Sequence, residues 1–321
     1  MGRGNSAMAD SAFHVLMILC AFSIFGIVAM IATVLVQHSS EAWHRFGLRF
    51  FYSFDRDPVT GAAIFWDPIN EHFSALPFIY GTLASSFMAL LIAVPLAVGL
   101  AIFLTEMCPR ALRSPLAFLT ELLAAIPSVI YGLWAVFILV PLLRENVNPW
   151  LVRLLGWTGL FTDDNPTGLG YFSAAVILAI MILPIISSLT REVMSAVPHS
   201  QREAVLALGA TRWEMIRMGV LRNARIGIVG AVILGLGRAL GETMAVAMVI
   251  GNSPTLQHNL LANGSSMAAV IANEYAEATS GLHRSALTQL GLALFIVTII
   301  VNALARLLVW AVTRGAPAQT R

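Results

Sequence analysis

Residues 203–251 read EAVLALGATRWEMIRMGVLRNARIGIVGAVILGLGRALGETMAVAMVIG and combine two kinds of sequence. The first half is polar and rich in arginine. The second half contains an apolar run, Ile226–Ile250, interrupted by one arginine and one glutamate. About 20 apolar residues in a helix are enough to cross a bilayer. The stretch therefore predicts a polar hairpin that leads directly into a membrane span.

The composition extends this prediction to the whole chain. Apolar residues make up 58% of the 321 residues and charged residues only 11%, whereas soluble domains are about a quarter charged. Six runs are long enough to span a bilayer: Ala12–Val36, Pro77–Leu104, Pro115–Leu143, Tyr171–Thr190, Ile226–Ile250 and Ser285–Val312. We therefore predict an all-α membrane protein with one six-span domain over residues 12–312 and short tails at 1–11 and 313–321.

Two details concern how the chain lies in the membrane. The first run lacks the small-residue cleavage site of a signal peptide, so we expect it to be retained and to start at Asp10–Ser11. With both termini inside, eleven arginines lie in inside segments and six in outside loops. The positive-inside rule favours this orientation. Arg238 and Arg306 lie within spans and are not counted.

The basic residues also limit the chemistry. All 19 are arginine, and there is no lysine. A P-loop needs a lysine for the nucleotide phosphates, and a Schiff base needs one as well. We therefore expect this chain not to hydrolyse ATP itself and to carry no cofactor. The two cysteines, Cys20 and Cys108, do not have metal-ligand spacing, and we expect neither a metal site nor catalytic residues.

The loops allow more than one interpretation. The first outside loop, Gln37–Leu76, is rich in aromatic residues, which favours an interfacial belt over a docking surface for an external partner. Its aromatic residues are Trp43, Phe46, Phe50, Phe51, Tyr52, Phe54, Phe65 and Trp66. The last outside loop contains Met267–Ala278, which we predict to be a short helix on the surface. Prolines within the spans are common in membrane helices, and we assign no individual role to them.

The segment Arg191–Arg225 is longer than a connection between two spans requires. Pro198 can open a first helix, and Gly209 is placed to stop it in the left-handed conformation. Thr211 and Glu214 have the spacing of a capping box that starts a second helix. We therefore predict two short helices around a glycine turn. Trp213, Ile216 and Met218 are predicted to pack them. Because the segment lies between two membrane spans, we set aside a DNA-binding role. A solvated loop without a partner remains an alternative interpretation.

The charged pair in the fifth run has two interpretations. Arg238 lies at its midpoint, where an arginine costs about 2.5–3.5 kcal/mol on insertion scales. Glu242 is four residues further on, so in a continuous helix it shares a face with Arg238. Such residues face a wet cavity or a bundle interior. The pair could line a path for an anion, or it could neutralise itself within a helix contact.

The hairpin resembles the EAA loop of ABC importer membrane subunits, through Glu203, Ala204 and Gly209, with Trp213 and Leu221 following. The resemblance implies that the loop occupies a groove of an ATP-hydrolysing subunit and couples its motion to the spans. The coupling residues would be Glu203, Ala204, Gly209, Thr211, Trp213 and Glu214. The chain departs from the pattern at Val205, where alanine is usual. It also lacks the proline that usually ends the second helix.

A narrower resemblance covers the chain from about residue 40 onward. The stretch GLGRALGETMA at 235–245 is similar to PstC-type permeases of phosphate importers, as are ALPFIYGT at 75–82, IPSVIYGLW at 126–134 and NEYAEA at 273–278. Permeases for sulfate and molybdate tend to carry GEFG in place of GETM. The resemblance implies a MetI-like permease fold, and it favours the transport interpretation of Arg238 and Glu242.

The same resemblance implies an assembly in the bacterial inner membrane. It includes a PstA-like second permease, two PstB-like ATPase subunits that hold ATP and Mg²⁺, and a PstS-like external phosphate-binding protein. Nucleic acid is not implied. A permease for another oxyanion and a secondary transporter stay as alternatives. An intramembrane enzyme is disfavoured, because no His-Glu-x-x-His or Gly-x-Ser-x-Gly motif occurs in a span.

Overall fold

The computed structural model describes residues 3–56, 63–162 and 165–313, and most of them are helical. The α-helices are α1 (Arg3–His38), α2 (Ser40–Phe46), α3 (Leu76–Ile102), α4 (Arg110–Ala125), α5 (Ser128–Trp134), α6 (Val140–Leu142), α7 (Asn148–Leu155), α8 (Tyr171–Ser195), α9 (His199–Ala207), α10 (Arg212–Glu214), α11 (Arg222–Leu240), α12 (Met244–Val249), α13 (Met267–Glu274) and α14 (Gly281–Thr313). Four two-residue strands form two antiparallel pairs: β1 (Asp55–Arg56) with β2 (Ala63–Ile64), and β3 (Trp66–Asp67) with β4 (His72–Phe73).

Six helical segments in the described part of the chain are long and apolar enough to cross a membrane, as predicted. They are Ala12–His38, Leu76–Met107, Ser128–Thr158, Tyr171–Ser195, Arg212–Leu240 and Gly281–Leu307. Several include single π-helical turns, such as Phe103–Met107 and Met215–Leu221. The first helix starts at Arg3, upstream of the predicted Asp10–Ser11. Two arginines used to predict the orientation, Arg314 and Arg321, lie outside the described residues.

The third predicted span, Pro115–Leu143, is wrong at its start. The chain leaves the helical conformation at Ile126 and Pro127, whose ψ angles are 129° and 140°. Proline lacks an N–H and disfavours a helical conformation in the residue before it. The amphipathic helix α4 therefore ends at Ala125, and the span itself begins at Ser128.

The fifth predicted span, Ile226–Ile250, is not one helix. The helix that contains Arg238 ends at Leu240, and a new short helix, α12, begins at Met244. Glycine is a poor helix former, and the break lies at Gly241, which has φ −95° and ψ 0°. The prediction that Glu242 shares a helical face with Arg238 is therefore wrong.

Helix α8 lies at the centre of the bundle. Its core side chains, among them Ile177, Ile182 and Ile186, are fully buried against α3 and α11. Alanines at four-residue spacing on α3 (Ala89, Ala93 and Ala97) are also fully buried and allow a close approach. Helix α1, in contrast, contacts mainly α14 and exposes its apolar side chains almost all round. The bundle therefore has a packed centre and an unpacked first helix.

The two ends of the bundle carry different structures. We call the end that bears residues 191–225 the hairpin end. The loop end bears the described residues 37–56, 63–76 and 252–284. The predicted aromatic belt is wrong for Phe50, Phe65 and Trp66, which are buried in or beside a compact cap on α14. The side chains of Trp43, Tyr52 and Phe54 are exposed, and for them the belt stays a prediction.

The second loop-end element also differs from its prediction. Helix α13 lies only partly on the surface, because its first four residues, 267–270, are buried against α3, α12 and α14, whereas Ala272 and Asn273 are exposed. The hydroxyl of Ser266 accepts a hydrogen bond from the N–H of Ala269 at 3.2 Å, and the Thr82 hydroxyl accepts one from the N–H of Met267 at 3.0 Å. These caps satisfy backbone groups that burial would otherwise leave without partners.

Candidate functional site

The hairpin has the predicted turn chemistry. Helix α9 begins after Pro198, and the chain reverses at Gly209, where φ is +85°. Thr211 then starts α10 with a complete capping box. Its hydroxyl accepts from the N–H of Glu214 at 3.3 Å, and the Glu214 carboxylate accepts from the N–H of Thr211 at 2.8 Å. Two orphan donors at the helix start are thereby satisfied, and the predicted helix, glycine turn and capping box are confirmed.

The outer face of the hairpin carries all six predicted coupling residues. Glu203, Ala204, Gly209, Thr211, Trp213 and Glu214 are all exposed. Leu208 and Trp213 are 88% and 57% exposed. The prediction that Trp213 and Met218 pack the two helices is wrong, because both point outward and only Ile216 is buried. An exposed tryptophan and leucine on a well-capped turn form a surface suited to a protein partner.

The inner face of the hairpin is attached to the bundle. Ile216 and Val220 pack against Ala101, Met194 and Val197. Beside them, the Arg202 guanidinium forms a buried ion pair with the Glu106 carboxylate, with Nη2 and Oε1 3.0 Å apart. The same guanidinium donates to the carbonyls of Met194 and Val197. The hairpin is therefore held to the ends of α3 and α8 by a satisfied buried charge.

The second hairpin helix does not end where the family pattern would end it. From Arg212 the chain continues through α10, the π-helical turn Met215–Leu221 and α11 to Leu240 without a break. The absence of a proline near Leu221 explains this, because nothing there removes a backbone donor. A single helix therefore connects the capping box to Arg238.

Arg238 faces a groove between α11 and α14 with a volume of about 750 Å³. Its lining residues are Ile185, Ile226, Gly230, Ile233, Leu234, Gly237, Arg238, Asn302, Arg306 and Val309. The Arg238 side chain is exposed to this groove, and Glu242 lies half-buried just beyond the helix end and outside the groove lining. The structure therefore brings only Arg238 of the predicted pair to the groove.

The two charges of the pair do not neutralise each other. Among the described residues, no ion pair joins Arg238 to Glu242, and neither side chain makes a hydrogen bond within the chain. The interpretation as a self-neutralising helix contact therefore loses its structural basis. Arg238 is therefore an arginine within a span whose side chain is directed into an open groove.

Four polar residues of this region were not assigned a role from the sequence. Arg202 and Glu106 are 96 residues apart, and nothing local links them. Arg306 and Asn302, four residues apart on α14, line the same groove as Arg238. An arginine inside an apolar run could have pointed to Arg306, since the same pattern indicated Arg238 as a candidate site residue. Within the described residues, no group of three or more His, Cys, Asp or Glu side chains could hold a metal ion.

Comparison with known families identifies the class of this protein. The family described as "Binding-protein-dependent transport system inner membrane component" matches residues 93–314. The chain belongs to this family, and it is a multi-pass inner-membrane permease component. Its fold is similar to that of two solved ABC transporters, MetNI for methionine and a bacterial importer of alginate. The TM-scores are 0.51 and 0.52 at 20% identity, over 74% of this chain and 93% and 79% of theirs.

Curated relatives narrow the class further. The chain is 44% identical to the "Phosphate transport system permease protein PstC" of Mesorhizobium japonicum, over 94% of this chain and 90% of the relative. It is also 44% identical to that of Haemophilus influenzae, over 95% and 94%. A "PstC 2" protein of Mycobacterium tuberculosis is 46% identical over 70% of each chain. The first two matches cover nearly the whole of this chain.

Proposed function

We propose that this chain is a membrane subunit of an ATP-driven importer of inorganic phosphate and forms half of the translocation path. The observation that carries the proposal is the 44% identity to PstC proteins over nearly the whole of both chains. The groove with Arg238 supports it, because a guanidinium directed into an open groove within a span is suited to an anionic cargo.

The proposal includes partners that complete the machine. A PstA-like second permease would cover the open side of the bundle, and two PstB-like subunits would bind ATP and Mg²⁺ and hydrolyse the nucleotide. The outer face of the hairpin, with Leu208 and Trp213 exposed, is the surface we assign to one of these subunits. A PstS-like protein would deliver phosphate to the opposite end. This chain would need no cofactor of its own, since it contains no lysine for a P-loop.

Arg238 would recognise the cargo through geometry as well as charge. A guanidinium can hold two oxyanion oxygens at once with two parallel N–H···O bonds. Lysine supplies a point charge without this fork. The Arg238 side chain makes no hydrogen bond to any residue that the structure describes, so its donors are available to a passing anion.

Glu242 would favour an oxyanion that carries a proton. Near neutral pH phosphate keeps at least one P–OH group, whereas sulfate keeps none. A carboxylate can accept the P–OH hydrogen bond but repels an anion without a proton. Because α11 ends at Leu240, Glu242 lies on the loop that follows Arg238. We therefore assign it a role at the entrance to the groove rather than on its wall.

The experiment uses four variants of the full complex, each compared at equal protein level. Arg238→Gln should abolish phosphate uptake while the subunits still assemble, and Arg238→Lys should also be poor. Glu242→Gln should be milder. If the two residues serve only to balance charge, the double variant Arg238→Gln, Glu242→Gln should regain near-normal uptake. Such a recovery would exclude a direct role for Arg238.

The cargo and the energy source need separate measurements. In a strain that lacks the gene, uptake of labelled phosphate should fall on low-phosphate medium while uptake of labelled sulfate is unchanged. Loss of sulfate uptake instead would identify a permease for another oxyanion. Uptake by the purified chain alone, driven by an ion gradient without ATP, would identify a secondary transporter.

We also propose that both termini face the cytoplasm. The arginine distribution supports this orientation, and the hairpin and the first outside loop lie at opposite ends of the bundle. Cysteines introduced at Ser200 and Ser53 should react with an impermeant reagent from opposite sides of intact cells. Equal labelling at both positions would contradict the six-span arrangement.

A further inference from the structure

The groove contains a second arginine that the proposed function does not use. Arg306 lies on α14 within the candidate span Gly281–Leu307, and one helical turn away Asn302 lines the same groove. The side chains of Arg306 and Asn302 make no hydrogen bond or ion pair within the described part of the chain. A guanidinium and an amide left without partners in a membrane span need an external partner.

These residues lie in a defined order along the groove. Helices α11 and α14 are antiparallel, because α11 starts at the hairpin end and α14 at the loop end. Ile226 and Val309 line the groove near the hairpin end. Arg238 is twelve residues from Ile226, or about 18 Å along the helix, whereas Arg306 is only three residues from Val309. Moving from the loop end toward the hairpin end, a cargo would meet Arg238, then Asn302, then Arg306.

The wall of the groove is kept open by glycines. A Cβ atom added at Gly230 or Gly237 would meet no atom within 4 Å. On the adjacent face of the same helix, which turns toward α8, Gly227 and Gly235 serve a different purpose. A Cβ atom there would lie 2.4 Å from Val193 and 2.7 Å from Ile186. Helix α11 thus has glycines for packing on one face and glycines that leave space on the groove face.

A second groove between the same two helices shows that the polar residues are not randomly distributed. It is bordered by α3 instead of α8 and has a volume of about 440 Å³. Apart from Arg225 at the hairpin end, its lining is apolar, with residues such as Phe87, Val229 and Leu304. Asn302, Arg306 and Arg238 all face the other groove. An arginine that only reached toward the lipid headgroups would not require this arrangement.

We propose that Arg306, assisted by Asn302, forms a second binding station for the oxyanion, between Arg238 and the hairpin end. This inference rests on the proposed function. The guanidinium holds two oxygens of the anion, and the Asn302 amide can either donate to an oxygen or accept from a P–OH group. Two stations in series allow each to bind weakly, so that the anion can enter and still leave.

The experiment measures the charge preference of the groove directly. In the full complex, reconstituted with Cys20→Ser and Cys108→Ser, Gly230→Cys places a thiol in the open space of the groove. We compare the labelling rates of an anionic and a cationic methanethiosulfonate reagent, with and without ATP. The anionic reagent should react faster, and inorganic phosphate should slow it. In Arg306→Gln the ratio of the two rates should fall by about tenfold, the scale of one nearby charge in a partly dry site.

Arg306→Lys is the matched variant, because lysine keeps the charge and reaches the headgroups equally well. It should preserve the rate ratio but not phosphate uptake, which should fall about tenfold in both Arg306 variants if two-oxygen binding matters. Three results would overturn the inference: no labelling of Gly230→Cys in either condition, a rate ratio unchanged in Arg306→Gln, or full uptake in Arg306→Lys. If the unmodified complex takes up no phosphate, the proposed function itself fails, whatever the labelling shows.

Discussion

The two ends of the bundle attach their extramembrane segments by different physical means. At the hairpin end, a buried ion pair between Arg202 and Glu106 and a small apolar cluster hold the chain, while Leu208 and Trp213 point outward. At the loop end, Trp66 and Phe73 are themselves buried, with ring centroids 4.8 Å apart. At the hairpin end, where an ion pair contributes to the attachment, large apolar side chains remain exposed for a partner. At the loop end, the aromatic side chains that make the attachment are buried and cannot contact a partner.

The loop-end cap has its own polar contacts within the aromatic cluster. The Trp66 indole N–H donates to the Glu274 carboxylate at 2.8 Å, and the His283 ring nitrogen lies 3.0 Å from the same oxygen. The His283 ring stacks on Phe73 with centroids 5.5 Å apart. Three segments, the first loop, α13 and the start of α14, therefore meet at one carboxylate. The polar groups of this cluster thus find their partners within this chain, whereas the hairpin end leaves Leu208 and Trp213 exposed.

The strongest test of this comparison removes the hairpin's ion pair. Arg202→Ala leaves Glu106 buried without a partner, which should destabilise the complex by about 3–5 kcal/mol in thermal unfolding. The matched control is Arg191→Ala, which breaks the Arg191–Glu121 pair. That pair is 2.5 Å long, but its side chains are 26% and 54% exposed, so the cost should be below about 1 kcal/mol. Equal effects of the two substitutions would contradict the comparison.

A smaller effect is expected at the hairpin turn. Gly209 has φ +85°, and a Cβ atom there would meet no neighbour. Gly209→Val should therefore act only through backbone strain, of about 1–3 kcal/mol, whereas Gly209→Asn should be tolerated because asparagine adopts this conformation more readily. We expect stimulation of the ATPase by the external binding protein to fall in the valine variant, with normal membrane insertion. Full stimulation in Gly209→Val would exclude the turn from coupling.

The loop end should respond to the loss of one hydrogen bond. Trp66→Phe keeps most of the aromatic packing but removes the indole N–H that Glu274 accepts from. The expected cost in thermal unfolding is about 1–2 kcal/mol, because the carboxylate oxygen loses a partner. Trp43→Phe is the control, since Trp43 is 44% exposed and lies outside the cap's buried cluster. A cost at Trp43 as large as at Trp66 would mean that the cap is not the stabilising unit.

The smallest effect concerns pH at the turn between β3 and β4. The Asp67 carboxylate accepts from the Asn70 side chain and from the N–H groups of Asn70 and Ile69, and these bonds hold its pKa below the ordinary value of 3.8. A depressed pKa stabilises the folded state above 3.8, and this contribution disappears as the pH falls through the folded pKa. Trp66 fluorescence should report loosening of the cap in that window. Asp67→Asn should lack this pH response.

Much of the hairpin could be predicted because its signals are local. Thr211 and Glu214 are three residues apart, and Gly209 marks the reversal, so short-range backbone chemistry determines the turn. The six spans were also predictable, because hydropathy over about 20 residues depends only on composition. Hydropathy does not, however, distinguish an apolar side chain that faces lipid from one that is buried against other parts of the protein. It therefore could not show that Phe50 and the first turn of α13 are buried within the chain.

Other features depend on contacts between distant parts of the sequence. The partner of Arg202 is 96 residues away in the chain. The shared groove of Arg238 and Arg306 depends on how α11 packs against α14. The helix breaks at Pro127 and Gly241 lie inside stretches whose mean hydropathy predicts a continuous span. In such stretches a helix break can be predicted only if the helix-breaking tendency of a single proline or glycine is given more weight than the hydropathy of its neighbours.

The unbroken helix from Arg212 to Leu240 has a mechanical consequence. It acts as a stiff rod in which Arg238 lies about 40 Å from the capping box. If a partner tilts the hairpin by about 5°, the far end of such a rod moves by about 3.5 Å, which exceeds the length of a hydrogen bond, about 2.9 Å. A deflection this small is enough to make or break the hydrogen bonds of the Arg238 guanidinium. The π-helical turn Met215–Leu221, which contains Gly219, lies at the hairpin end of this rod.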